Sequence, residues 1–177
     1  MMAANLLSHD EIVRLLAGGP DRVYATTKRH SDDELAQRPA PDEWSPNEIL
    51  AHLRCCQDVW GDDRVVRMLT EDHPTIRAVN PRTWLAQTDY PQLPFHESLE
   101  AFTSQRGRFV TILSDLSPEQ WTRSGTFTGG GRPREYTVHT EADALARHER
   151  SHIKQIEVLC ATMRQSVETP NCDSSSG

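Results

Sequence analysis

Along this chain apolar residues recur every three or four positions, the spacing that lines one face of a helix, over four stretches. The first runs from about Ser8 to His30, with Ile12, Leu15, Leu16, Val23 and Tyr24 on its apolar face. Gly18-Gly19-Pro20 interrupts it and predicts a break or kink, because proline lacks the amide proton a helix needs. A short turn over Asp32 to Gln37 leads into the loop Arg38 to Trp44. The second stretch starts at Ser45 as N-cap, with Pro46 at the first helical position and Glu48 completing a capping box. Its stripe reads Ile49, His52, Cys56, Val59 and continues towards Leu69. The third covers about Phe95 to Leu116, with Leu99, Phe102, Arg106, Phe109, Leu113 and Leu116 in its seam. Thr137 caps the fourth, which runs to about Arg164 along Val138, Leu145, His148, His152, Ile156, Leu159 and Met163.

Two long connections join these stretches. Residues 71–94 carry five prolines or tryptophans in a polar context, and residues 117–136 contain Thr128-Gly-Gly-Gly-Arg-Pro133, which cannot be helical. Strand signals amount to a fragment around Thr126 to Thr128. Four amphipathic helices with long crossover loops predict an all-α four-helix bundle spanning residues 8–164. Residues 1–7 form a lead-in. The tail, residues 165–177, has nothing to bury and is expected to be disordered.

Composition narrows the function classes. With 177 residues the chain has the length of one domain, and no apolar run approaches the ~18 residues of a membrane span. The N-terminal stretch has no basic flank and no sustained apolar run, so the expectation is a cytoplasmic protein without a secretory signal. Net charge is −7, from 26 acidic against 19 basic residues, and the basic residues are scattered. A nucleic-acid partner needs a concentrated basic face, so none is expected. Four cysteines, two of them the neighbours Cys55 and Cys56, do not make a disulfide framework and read as reduced thiols.

The histidines carry the chemistry. His148 and His152 stand four apart on a helix, so they project from one face about 40° apart, at seam positions where leucine is expected. His52 holds an inward position on the second stretch. Imidazoles from facing helices are how bundles build transition-metal sites. Chance gives roughly 0.3 such pairs in a chain with this many histidines, so the pair acquires weight only with Glu149 and His52 beside it. The competing reading is a set of core histidines satisfied by hydrogen bonds. His148-Glu149-Arg150-Ser151-His152 also matches the H-E-x-x-H pattern of zinc peptidases. No histidine follows His152, and no sheet is expected to hold a peptide, which argues against that activity. His9, His30, His73, His96 and His139 fall off the inner stripes and read as surface residues.

Two landmarks, Asp42-Glu-Trp44-Ser45-Pro-Asn-Glu48-Ile49-Leu50-Ala51-His52-Leu53 and His148-Glu149-Arg150-Ser151-His152-Ile153-Lys154-Gln155-Ile156, resemble the DinB/YfiT-like superfamily of metal-binding four-helix bundles. The similarity runs from roughly Ser8 to Arg164. It implies a divalent metal, nickel or zinc, held by His52, His148 and His152 with water completing the site. It also implies activation of a low-molecular-weight thiol for transfer to a small-molecule electrophile or for isomerisation, and it makes a homodimer an option. One departure stands out: where relatives often carry an aspartate three residues after the first histidine, this chain has Cys55. Cys56 faces the same stripe as His52 and is either a soft extra ligand, a reactive thiol or a small packing residue.

The remaining candidates are stated with their plainer alternatives. Glu149 is a general base or a partner that orients an imidazole. Arg106, in a core seam, is either an anion anchor for substrate or a guanidinium that snorkels outward or pairs with an acid such as Glu149. Trp60 is the tryptophan best placed to line a pocket, although all four tryptophans first read as packing anchors. Three functions follow: a thiol-activating metal enzyme, a metal-dependent hydrolase using bound hydroxide, and a non-catalytic metal-binding or stress-related protein.

Overall fold

A computed structural model describes residues 6–168. Helix α1 spans His9–Thr27 and α2 spans Asp32–Ala36, each opened by a serine capping box. Helix α3, Pro46–Cys56, begins with the Ser45–Glu48 capping box and Pro46 in its first turn. It passes without a break into a π-helix, Gln57–Val65, and then into α4, Val66–Thr70. After strand β1, Thr75–Arg77, come α5, Pro81–Leu85, and a 3₁₀ turn over Tyr90–Gln92. Helix α6 covers Phe95–Ser114 and α7 covers Pro118–Trp121. Strands β2, Ser124–Thr128, and β3, Arg134–Thr137, precede α8, Val138–Glu168.

Helices α1, α6, α8 and the arm running from α3 through α4 form the four-helix bundle. The crossover connections do more than link helices. Residues from both assemble a small sheet in the order β1-β2-β3, with β1 parallel to β2 and β2 antiparallel to β3. The sequence pattern had shown only a fragment of it, because three- to five-residue strands are too short to display an alternation. Gly129 and Gly131 take positive φ values of 93° and 102° in the turn between β2 and β3, a region open to glycine at little cost.

Three further expectations change. Helix α1 continues through Gly18-Gly19-Pro20 rather than breaking there. Pro20 leaves the Leu16 carbonyl without its helical donor, and the Arg106 guanidinium donates to that oxygen at 3.4 Å. The π-helix was not anticipated. Its trace in the sequence is the gap from Val59 to Val65, where a 3.6-residue stripe asks for an apolar residue and finds Asp62 and Asp63. Helix α8 continues through Glu168, past the expected end near Arg164, and the rest of the anticipated tail, 169–177, lies outside the described residues.

The core divides into two apolar clusters. One, at the sheet end, contains Ile12, Leu16, Val65, Phe109, Phe127 and Leu145. The other contains Val23, Ile49, Leu53, Leu99, Phe102 and Ile156. Each long helix changes from one cluster to the other near its middle, and at that height three of them carry polar residues while α1 presents a glycine. Gly19 lies there on α1, His52 on α3, Gln57 on the π-helix, Arg106 on α6, and His148, Glu149 and His152 on α8. A polar layer thus crosses the bundle between two apolar blocks.

Candidate metal centre

The capping box at Ser45 sets the start of α3, and His52 follows two turns later, 5% exposed and pointing into the bundle. From α8, His148 and His152 approach it. The His52 ring centroid lies 5.2 Å from that of His148 and 4.9 Å from that of His152, and the latter two are 4.6 Å apart. The Nε2 atoms of His52 and His148 are 3.5 Å apart, and Cys56 Sγ is 3.5 Å from His52 Nε2. Among the described residues, His52, Cys56 and His148 form a group whose ligand atoms all lie within 4.8 Å of one another.

These separations suit a metal better than mutual hydrogen bonds. Two imidazole nitrogens 3.5 Å apart are at the far limit of a hydrogen bond. Tetrahedral coordination with metal–nitrogen bonds of about 2.0–2.1 Å and metal–sulfur bonds of about 2.3 Å separates two nitrogens by about 3.3 Å and nitrogen from sulfur by about 3.6 Å. His148 Nδ1 is buried and has no hydrogen-bond partner. Nitrogen and sulfur donors with no carboxylate in the group match the preferences of zinc, nickel and related transition metals rather than calcium or magnesium.

Electrostatics keeps the imidazoles neutral. Burial, reinforced by the neighbouring rings, lowers the pKa of His52 to about 3 and that of His148 to about 4. Burial lowers that of His152 as well, against a bond to Gln155 that favours the protonated ring. His152 Nδ1–H donates to Gln155 Oε1 at 3.0 Å, which leaves Nε2 with its lone pair free. Gln155 is the glutamine of the second sequence landmark, three residues after His152 on the same helix. Burial pushes the Cys56 thiol strongly upward, so without a cation it stays protonated.

Two indoles frame the cluster. Trp44 packs on His52 at 5.1 Å and Trp60 meets His148 edge to face at 4.9 Å. A cleft of about 680 Å³ opens beside His152 and Trp44, with Arg82 and Lys154 at its rim. Arg82 also stacks its guanidinium over Trp44 at 4.9 Å. It comes from α5, so nothing in its sequence neighbourhood marked it.

Glu149 and Arg106 lie in the same layer but face one another. Their side chains are 3% and 1% exposed and form an ion pair. Arg106 also donates through Nε to Gln57 Oε1 at 2.9 Å, so with Leu16 O its guanidinium is held on three sides. Burial raises the Glu149 carboxyl above its ordinary range, and the Arg106 charge opposes that rise. Cys55 is buried, its thiol pushed up to about 11 by loss of solvent. One surface assignment is corrected. His30 is 8% exposed, because the chain turns there between α1 and α2 and packs the ring inward.

Residues 15–156 match the family described as the DinB superfamily. The chain belongs to the DinB superfamily. Among solved structures, YfiT from Bacillus subtilis has a TM-score of 0.72 at 20% identity, covering 93% of this chain and 94% of its own. It is described as a probable metal-dependent hydrolase with an unusual four-helix bundle topology. YjoA, a DinB-like protein also from Bacillus subtilis, has a TM-score of 0.60 at 18% identity, covering 90% and 95% of the two chains. At these identities the likeness is one of fold. No curated protein matches the chain by sequence. Among the described residues, no helix is long and apolar enough to cross a membrane.

Proposed function

We propose that this DinB-type protein is a metal-dependent enzyme that holds nickel or zinc on His52, His148 and His152 and activates a low-molecular-weight thiol for transfer or isomerisation. The observation that carries this reading is the convergence of three neutral imidazoles from two helices, with the Cys56 thiol 3.5 Å from His52 Nε2. A divalent ion on such donors supplies Lewis acidity and lowers the pKa of a thiol or water that reaches it. Gln155 fixes the tautomer of His152, Trp44 and Trp60 shield two sides of the ring cluster, and the cleft beside His152 admits a small molecule.

A metal-dependent hydrolase is the second reading, favoured by the description of YfiT. Hydroxide chemistry draws on a general base, and the carboxylate nearest in sequence, Glu149, is sealed in its pair with Arg106. With no free carboxylate to assist, the thiol is the easier nucleophile to form, because its ordinary pKa of about 8.5 needs a far smaller shift to ionise at neutral pH than the ~15.7 of water.

The deciding experiment loads the protein with cobalt, after purification without nickel-affinity resin, and titrates it with cysteine and glutathione. A near-ultraviolet sulfur-to-cobalt band that grows with thiol in the Cys56→Ser variant supports thiol activation. No response to either thiol, together with metal-dependent hydrolysis of an activated ester, moves the assignment to the hydrolase. Neither signal, with metal bound, leaves a non-catalytic metal-binding protein.

A further inference from the structure

A second cleft, of about 370 Å³, lies between the sheet and the bundle and is lined in part by Trp60, the indole that meets His148. Its walls are Trp60, Phe127 and Tyr136, and its charged residues are Arg64, Arg132, Arg134 and Glu141. Strand alternation explains this inventory. Phe127 pairs with Arg134, and Tyr136 follows two residues later on the same face. Glu135 is on the opposite face, bonded to His73 and Thr126. The one acidic side chain in the cleft, Glu141, already pairs with Arg64 at 2.9 Å.

What remains without a partner is of one kind. The side chains of Arg132 and Arg134 make no ion pair or hydrogen bond among the described residues. Arg64 Nε and Trp60 Nε1 are buried and unbonded. All four groups are N–H donors, and none accepts. A local charge of about +2, after Arg64 and Glu141 cancel, occurs in a chain whose net charge is −7. The half-buried Trp60 and Tyr136 add an apolar surface against which a flat body can stack, while Phe127 is buried with Arg64 over its ring at 5.2 Å.

We infer that this cleft is a binding site for a small organic anion with a flat apolar body, its carboxylate or equivalent group held by Arg132 and Arg134. The volume is that of a small-molecule site. Trp60, which lines this cleft, also contacts the His148 ring at 4.9 Å. The site is independent of the metal reading, since none of the residues it uses is a candidate ligand.

The test uses 1-naphthoate as probe, with 1-naphthamide and inorganic phosphate as matched controls, on full-length protein with and without added zinc. Binding is read by isothermal titration calorimetry and by tryptophan fluorescence. Naphthoate should bind at least about tenfold more tightly than the amide or phosphate, and weaken as salt rises. The Arg132→Gln/Arg134→Gln variant should lose about tenfold or more in affinity. Both side chains are exposed, so the fold is expected to survive, and circular dichroism checks it. Trp60→Phe should abolish most of the fluorescence response, while Arg150→Gln, on the exposed face of α8, should change nothing. Equal binding of acid and amide, phosphate binding as tight as naphthoate, or an unaltered double variant would each overturn the inference. A failure of the metal reading would appear in the cobalt titration and leave these affinities untouched.

Discussion

Gly18 and Gly19 are neighbours on α1, yet a methyl group added to each meets opposite surroundings. At Gly18 nothing lies within 4 Å, whereas at Gly19 the new carbon would stand 2.1 Å from Glu149 Oε1. Gly18→Ala should therefore stabilise the protein by ~0.5–1 kcal/mol, since glycine inside a helix forgoes that much. Gly19→Ala should destabilise it by about 1–3 kcal/mol, because the buried Glu149 carboxylate cannot leave Arg106 to make room. Urea midpoints of the two variants, measured at neutral pH, check the opposite signs. The glycines were visible in the sequence, but only as punctuation. That Gly19 is the notch into which Glu149 fits depends on α8 packing beside α1, and residue spacing within one helix carries no information about that.

The start of α3 is an element written locally. Ser45 and Glu48 exchange hydrogen bonds with each other's backbone, and Arg38 pairs with the Glu48 carboxylate. Arg38, then the Ser45 backbone amide, hold the Glu48 carboxyl below its ordinary value of 4.5, against burial. A carboxyl whose folded pKa is depressed stabilises the native state above the unfolded value and loses that contribution as pH falls through the folded one. The stability difference between the wild type and Glu48→Gln should then be constant from pH 6 to 8 and shrink below about pH 4.5. Denaturant unfolding at pH 7, 5 and 4 measures it, and a difference that grows on acidification would contradict the assignment. Further along, the same arm becomes a π-helix, where Gly61 leaves room for the Gln57 amide that reaches Arg106. A capping box is legible because its partners lie three residues apart. The π-helix begins at Gln57, which accepts from Arg106 on another helix, and only the Val59–Val65 gap marks it in the sequence.

For the whole molecule, the polar layer predicts how metal and stability are linked. A ligand that binds only the folded state raises stability by mass action, ~2.7 kcal/mol at one hundred times its dissociation constant. Zinc or nickel should accordingly raise the melting temperature and bind at about one ion per chain. His148→Ala should lose both effects, since two imidazoles hold a labile ion poorly. Thermal denaturation with and without chelator, paired with elemental analysis, reads both quantities, and full metal content in His148→Ala would sink the ligand assignment. The four helices, the caps at Ser45 and Thr137 and the inward stripe positions of His52, Cys56, His148 and His152 were determined by the sequence itself. Helical period and capping act over three or four residues, so a linear reading contains them. The three-stranded sheet, the unbroken passage of α1 through Pro20, the Arg106–Glu149 pair and the approach of Trp44, Trp60 and Arg82 to the site were decided by tertiary structure. Most of these bring together residues far apart in the chain. Their energies come from burying charge beside charge and ring beside ring, quantities that exist only once the helices have packed.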